Sequence, residues 1–526
     1  MVATLIRLLA PLAALALAAT PGGRGGEPTP PPVEPPQATP PPAPPVPPVP
    51  PVPEKPPIVT EHELRLGERT LRYFATVGTL PLKNEKGETE AKLFFTAYTL
   101  DSEEGDKERP LMFSFNGGPG SSSVWLHLGG LGPRRVRMMD DGAMPAPPFR
   151  LDENEQTWLE ATDLVFVDPV ETGYSRAATP ELATKFRGVE GDLAAVGEFV
   201  RLYLTRYRRW GSPLFLVGES YGTFRAAGLA GRLIEQGIAF NGIVLVSSIL
   251  DLLTARFDVG NDLPYVLFLP TYAAIAHYHG RLAEDLQGRD LAEMLAEVEA
   301  WASGPYAAAL AKGHALAGEE RAETVERLAR YTGLTTRYVE QSELRVQIHR
   351  FCKELLREER RTVGRLDGRY TGFDASGVSE APDFDPSMAA IRPPFTAMLN
   401  DYLRSTLGYE TDAEYHILRG LEWDWGSAEA GYAKTSAALG EAFAKNPYLR
   451  LFVASGYYDL ATPYFATDYT LNHLVLDPAT RGNMRTEKYP VGHMVYLEKG
   501  VLARLKEDVT EFIGEAVGTE GRRLRG

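Results

Sequence analysis

Leu214-Phe215-Leu216-Val217-Gly218-Glu219-Ser220-Tyr221-Gly222, continued by the alanine-rich stretch from Arg225 to Leu233, decides how this chain folds. The four apolar residues read as a buried strand and the alanine-rich run as a helix. Between them, Gly218 to Gly222 has the G-x-S-x-G form of a sharp strand-to-helix turn, in which the serine is strained and its Oγ stands above the sheet edge. The flanking glycines keep strand and helix from colliding. A serine so placed is a candidate nucleophile. The five residues recur by chance in many sequences, and the strand before and helix after are what give them weight.

Outward from this turn, short apolar runs recur at Leu111–Phe115, Leu164–Val167, Ile243–Val246, Leu449–Ala454 and Glu487–Tyr489. Helical patterns separate several of them, notably Gly191–Tyr207 and Arg225–Gln236. Such alternation predicts an α/β protein with a mostly parallel sheet covered by helices on both faces. Two β-rich stretches, Leu64–Val77 and Lys92–Leu100, flank the turn-like Asn84-Glu85-Lys86-Gly87 and predict a leading hairpin. From Phe257 to Gly440 the pattern is helical, clearest at Leu282–Ala302, Glu319–Tyr331 and Val346–Arg361. The strand pattern then resumes, so this segment reads as an insertion that caps the sheet; a separate helical domain is the alternative. The boundaries are 58–256 and 441–526 for the two parts of the core and 257–440 for the cap.

The first 19 residues carry Arg7, an apolar run from Leu8 to Ala19, and Ala14, Ala16 and Ala18 as small residues for cleavage. This is the form of an export signal, which predicts a periplasmic or extracellular protein. Residues 20–57 are rich in proline and suit an extended spacer that packs no core. No later stretch reaches the roughly 18 to 20 continuous apolar residues of a membrane helix, so no stable membrane insertion is expected once the signal is removed. Across 526 residues, 55 basic against 70 acidic side chains give a net charge of −15, which argues against a nucleic-acid surface. The arginines between Arg357 and Arg369 are interleaved with acids and suggest a solvated, salt-bridged helix face. Cys352 is the single cysteine, so no disulfide can form within the chain, and it reads as a small buried apolar residue.

A nucleophilic serine needs a base and an orienting acid, each on a loop after a later strand. Ser455-Gly456-Tyr457-Tyr458-Asp459 follows one strand and Pro490-Val491-Gly492-His493-Met494 another. His493, on a glycine-flanked loop, is poorly explained as core packing. Asp459 also suits an ordinary turn, and Asp468 is a rival for the acid. The other histidines lack ligand spacing; His277 and His279 form the one metal-like pair, without an H-E-x-x-H pattern. Neither a metal nor a cofactor is implied. The oxyanion of an acyl-transfer intermediate must also be met by backbone N–H groups, one from the residue after the serine and one from a glycine-rich loop. Asn116-Gly117-Gly118-Pro119-Gly120-Ser121-Ser122-Ser123 supplies such a loop and lacks the Lys-Ser/Thr ending of a phosphate cradle.

In this order, Asn116–Ser123, Gly218–Gly222, Ser455–Asp459 and Gly492-His493-Met494 resemble the signatures of the serine carboxypeptidase family within the α/β-hydrolase fold. Asp168-Pro169-Val170-Glu171-Thr172-Gly173-Tyr174-Ser175 resembles a fifth. The resemblance implies Ser220 as nucleophile, His493 as base and Asp459 as acid, with the N–H groups of Gly118 and Tyr221 as oxyanion donors. It further implies that Asn116, Glu219 and the N–H of Gly117 hold the terminal carboxylate of a peptide substrate with a free C-terminus. A carboxyl facing a carboxylate must share a proton with it.

The chain departs from the family at several positions. Ser114 stands where a tryptophan is usual, Gly130 where a second glutamate is usual, Ser121 where a disulfide cysteine is common and Thr462 where a cysteine often lines the subsite for the terminal residue; Glu171 replaces a glycine. The aromatic wall and half of the carboxyl pair are therefore expected to be missing. A carboxypeptidase is the implied activity, an esterase or acyltransferase with the same triad is the alternative, and a non-catalytic binding protein of the same fold is the third.

Overall fold

The computed structural model describes residues 56–101, 109–426 and 431–518, so the export segment 1–19 and nearly all of the proline-rich stretch 20–57 lie outside the described residues. In chain order the strands are β1 (Ile58–Leu66), β2 (Arg69–Lys83), β3 (Thr89–Leu100), β4 (Leu111–Phe115), β5 (Arg134–Val136), β6 (Leu151–Glu153) and β7 (Asp163–Val167). They continue as β8 (Arg176–Ala177), β9 (Leu214–Ser220), β10 (Gly242–Ser248), β11 (Arg361–Val363), β12 (Thr371–Phe373), β13 (Arg450–Gly456) and β14 (Met484–Tyr489). The main sheet runs β1-β2-β3-β7-β4-β9-β10-β13-β14, with β8 beside β3. The first three strands and the β3–β7 pair are antiparallel; every pairing from β7 to β14 is parallel.

The central strands are apolar throughout because both faces are covered. In β4, β9 and β10 alternate residues belong to different cores. Met112, Phe215, Val217, Val244 and Val246 face one layer, which includes Leu502, Leu505 and Phe512 of the helix Lys499–Ala516. Phe113, Leu216, Ile243 and Leu245 face the other, with the helices Val189–Arg206 and Tyr221–Glu235. This is the α/β-hydrolase fold expected from the sequence. A third core lies among Leu263–Tyr278, Leu291–Trp301 and Gly318–Thr332, within the helical stretch.

Three local expectations are corrected. The stretch 64–77 holds two strands, not one, because the chain turns at Gly67 with φ of +60° and β1 pairs back on β2. The helix expected over Val346–Arg361 stops early, at Ile348–Glu354. The solvated helix face expected over Arg357–Arg369 is a single 3-10 turn, Arg357–Glu359, followed by β11 and a docked loop. A Cβ on Gly368 would come within 2.3 Å of Ile275 Cδ1, so this loop lies flat on the helix Leu263–Tyr278.

Beneath the serine turn, Arg225 is buried and clamps three elements. Its Nε donates to Asp192 Oδ2 at 2.8 Å, on the helix Val189–Arg206, and its Nη1 donates to the carbonyl of Asn116 at 2.7 Å. The guanidinium also packs 5.4 Å from the Phe115 ring centre and 5.3 Å from that of Tyr221. Removing one partner of a buried ion pair strands the other. Arg225→Ala is expected to lower unfolding stability by about 3 to 5 kcal/mol, and the double change Arg225→Met with Asp192→Leu by less, both read from chemical denaturation.

Candidate active site

Ser220 ends β9 with φ 60° and ψ −130°, and the helix Tyr221–Glu235 begins at the next residue. Such a φ is costly for a residue with a Cβ and persists only where its surroundings impose it. Here the backbones leave no other path. A Cβ on Gly218 would lie 2.1 Å from the Gly222 carbonyl oxygen, and one on Gly222 would lie 2.5 Å from that of Phe115. The strand partner β10 bulges beside the turn, at Ser247, whose φ is 52°.

That bulge holds the two later loops. Ser247 Oγ donates to the His493 carbonyl at 2.5 Å, and Thr462 Oγ1 lies 2.9 Å from the Ser247 carbonyl. His493 Nδ1 lies 2.8 Å from Asp459 Oδ2. A carboxylate only accepts, so Nδ1 carries the proton and Nε2 is left as the basic nitrogen. Burial alone pulls the imidazole down, but the charge of Asp459 and the hydrogen bond to it outweigh burial and hold His493 above its ordinary value. Asp459 is fully buried and also accepts from the N–H of Ala461 at 2.8 Å, the N–H of Thr462 at 3.1 Å and the Thr462 hydroxyl at 2.7 Å. The rival Asp468 instead pairs with Lys488 at 2.7 Å.

Ser220, His493, Glu219, Asn116, Gly117 and Gly118 line one open cavity. A Cβ on Gly117 would lie 2.3 Å from the Tyr221 nitrogen, so the glycine loop and the serine turn touch backbone to backbone. Tyr221 opens its helix, where N–H groups have no carbonyl four residues earlier to bond.

Glu219 is buried, and burial pushes its carboxyl up to about 7 against the opposing pull of His493 and a hydrogen bond from Tyr496. The Tyr496 hydroxyl donates to Glu219 Oε2. Asn116 Oδ1 accepts from the N–H of Leu126 at 3.1 Å. Its amide lies near enough to help lower the Glu219 carboxyl, yet its buried Nδ2 completes no hydrogen bond of ordinary geometry.

Residues 78–254 match the family model described as serine carboxypeptidase, a span that includes the glycine loop and the serine turn. This stretch resembles serine carboxypeptidase sequence. Serine carboxypeptidase-like 5 of Arabidopsis thaliana is 30% identical over 153 residues, covering 27% of this chain and 33% of that protein. Serine carboxypeptidase-like 13 of the same plant is 31% identical over 153 residues, covering 27% of this chain and 34% of its own length. The chain therefore aligns with about a third of these curated relatives. A prohormone-processing carboxypeptidase from Saccharomyces cerevisiae superimposes with a TM-score of 0.50 at 15% identity, covering 84% of this chain and 91% of that one, a likeness of fold.

Against the serine carboxypeptidase pattern, the departures are now explained. Gly130, where a second glutamate is usual, lies against Tyr496: a Cβ there would come within 2.8 Å of Tyr496 Cβ, and one on Gly129 within 2.3 Å of the ring. The tyrosine thus fills the space and gives Glu219 a hydroxyl partner in place of a carboxyl. The expected loss of the aromatic wall is also corrected, because Trp125 lines the cavity, its Nε1 donating to Ser121 Oγ at 2.7 Å. Ser114 is buried in β4 and is not among the cavity residues. The hydroxyl of Ser121, standing where a cysteine is common, donates to the Ser122 and Ile417 carbonyls at 3.1 and 3.4 Å. Glu171 keeps the glycine-like φ of 70°, with its carboxylate 3.2 Å from Arg187 Nη2. Thr462 has become a hydroxyl donor to Asp459.

Neither Tyr496 nor Trp125 was legible as a site residue, although Tyr496 stands three residues after His493. Tyr496→Phe removes the hydrogen bond that favours ionised Glu219, so this carboxyl should titrate above about 7. Infrared difference spectra, with Glu219→Gln to assign the band, are expected to show that upward shift.

Proposed function

We propose that the chain is a serine hydrolase that releases residues from the C-terminus of peptides. The observation that carries this reading is the unpaired Asn116 Nδ2 and the proton-holding Glu219 carboxyl in the same cavity as Ser220 and His493. In this reading Asn116, the N–H of Gly117 and protonated Glu219 hold the terminal carboxylate, which sets the last peptide bond over Ser220.

His493 Nε2 takes the Ser220 proton as Oγ attacks the carbonyl carbon, and Asp459 stabilises the imidazolium. The N–H groups of Gly118 and Tyr221 receive the oxyanion. As the C–N bond breaks, His493 returns the proton to the leaving amine, and Ser220 is left as an ester. Water, deprotonated by His493, hydrolyses that ester and frees the shortened peptide. Residues 257–440 act as a cap over this centre. The amino-terminal targeting pattern supports export to the periplasm or beyond; among the described residues, no helix is long and apolar enough to cross a membrane.

A single carboxyl, Glu219, partnered by a phenol rather than a second carboxyl, also favours esterase or acyltransferase chemistry on the same triad. Three substrates separate the two: a blocked dipeptide, its C-terminal amide and a simple ester. A carboxypeptidase cleaves the free dipeptide well above the amide, whereas equal rates, or turnover of the ester alone, would overturn the reading. Ser220→Ala should lower turnover by at least roughly ten-thousandfold and abolish fluorophosphonate labelling, with an unchanged unfolding midpoint.

The pH dependence has a definite sign. Glu219 must be protonated to meet a carboxylate, so peptidase kcat/KM is expected to fall as pH rises through about 7, while ester hydrolysis does not fall there. Glu219→Gln should carry the peptidase plateau toward alkaline pH; an unchanged profile would remove Glu219 from the carboxylate site.

A further inference from the structure

The loop between β11 and β12 reaches the active-site cavity and brings one permanent charge to it. Its backbone is pinned on both sides of the triad: the His493 N–H donates to the Leu366 carbonyl at 2.7 Å and the Leu460 N–H to the Arg365 carbonyl at 3.0 Å. The half-buried side chain of Arg365 lines the cavity together with Ser220, Glu219 and His493. Among the described residues its guanidinium makes no hydrogen bond or ion pair.

The neighbouring charges are already engaged. Asp385 Oδ1 accepts from the Arg365 backbone N–H at 3.2 Å and from Ser387 N at 3.0 Å and Oγ at 2.5 Å, capping the helix Pro386–Asp401. Four residues along, Arg369 is saturated: its Nη2 lies 2.7 Å from Asp367 Oδ2 and its Nη1 2.9 Å from Glu498 Oε2. Asp367 in turn accepts from the Gly492 N–H at 3.1 Å, holding the His493 loop. One arginine of this loop is thus structural, and the other lines the active-site cavity, and also a second cavity beside His349 and Asp385, with a guanidinium that bonds none of the described residues. A planar guanidinium in that state is suited to bind a carboxylate through paired hydrogen bonds. Asn116, Gly117 and Glu219 already account for the terminal carboxylate, so the partner left for Arg365 is a side chain.

We infer that Arg365 selects substrates with an aspartate or glutamate side chain on one of the two residues flanking the scissile bond, a specificity that rests on the carboxypeptidase reading. The test uses blocked dipeptides with Glu or Gln at the terminal or the penultimate position, which also tells the two subsites apart. Wild-type protein should favour one Glu peptide over its Gln counterpart by about tenfold or more in kcat/KM. Arg365→Gln should bring that ratio to near one, and Arg365→Lys should keep part of it. A Glu preference that survives Arg365→Gln, or wild-type cleavage with no preference at either position, overturns the assignment. If no dipeptide is cleaved, the carboxypeptidase reading fails separately, and equal turnover of the 4-nitrophenyl esters of blocked Glu and Gln then overturns the Arg365 assignment as well.

Discussion

A residue with a side chain is held at φ of +60° at the end of β9, and the surrounding structure is arranged to keep it there. Strand and helix can meet at such an angle only where backbone lies on backbone, which is why Gly218, Gly222 and Gly117 crowd the turn. Contact of that kind provides little apolar burial to hold it. The holding is done from below by Arg225, which ties the helix to the Asn116 carbonyl and to Asp192, and from the side by the bulge at Ser247. The same bonds that impose the strain therefore set Ser220, the glycine loop and the His493 loop against one another.

Two carboxyls approach His493 in different surroundings. Asp459 is met by four donors. Glu219 lies in a buried setting with one phenol donor, and burial prevails. His493 is drawn upward by both, by Asp459 first and by Glu219 after it. Tyr496 occupies the space opened by Gly129 and Gly130, a replacement of volume as much as of chemistry.

The readable parts of the sequence were those governed by local rules. Buried parallel strands show as apolar runs, and the glycine loop and serine turn show because each needs glycine at fixed spacing. The break at Gly67 was hidden, since one long apolar pattern serves a strand or two strands of a hairpin equally well. The helix Leu263–Tyr278 was missed because it is apolar all round and contains Pro264 and Pro270. The charged run Arg357–Arg369 misled for a different reason. Interleaved signs look solvated whether the partners lie on one helix or, as for Arg369, come from Asp367 and a distant Glu498.

By itself the sequence determined the fold class, the glycine loop and the serine turn, and the stretch that matches the serine carboxypeptidase family. These depend on neighbours in the chain and on repeated patterns of burial. Tertiary structure alone decided that Tyr496 is the partner of Glu219 and that Arg365 rather than Arg369 lines the cavity. Each of those outcomes depends on distances between segments tens to hundreds of residues apart, and a side chain's charge or hydroxyl carries no mark of the partner that packing will bring to it.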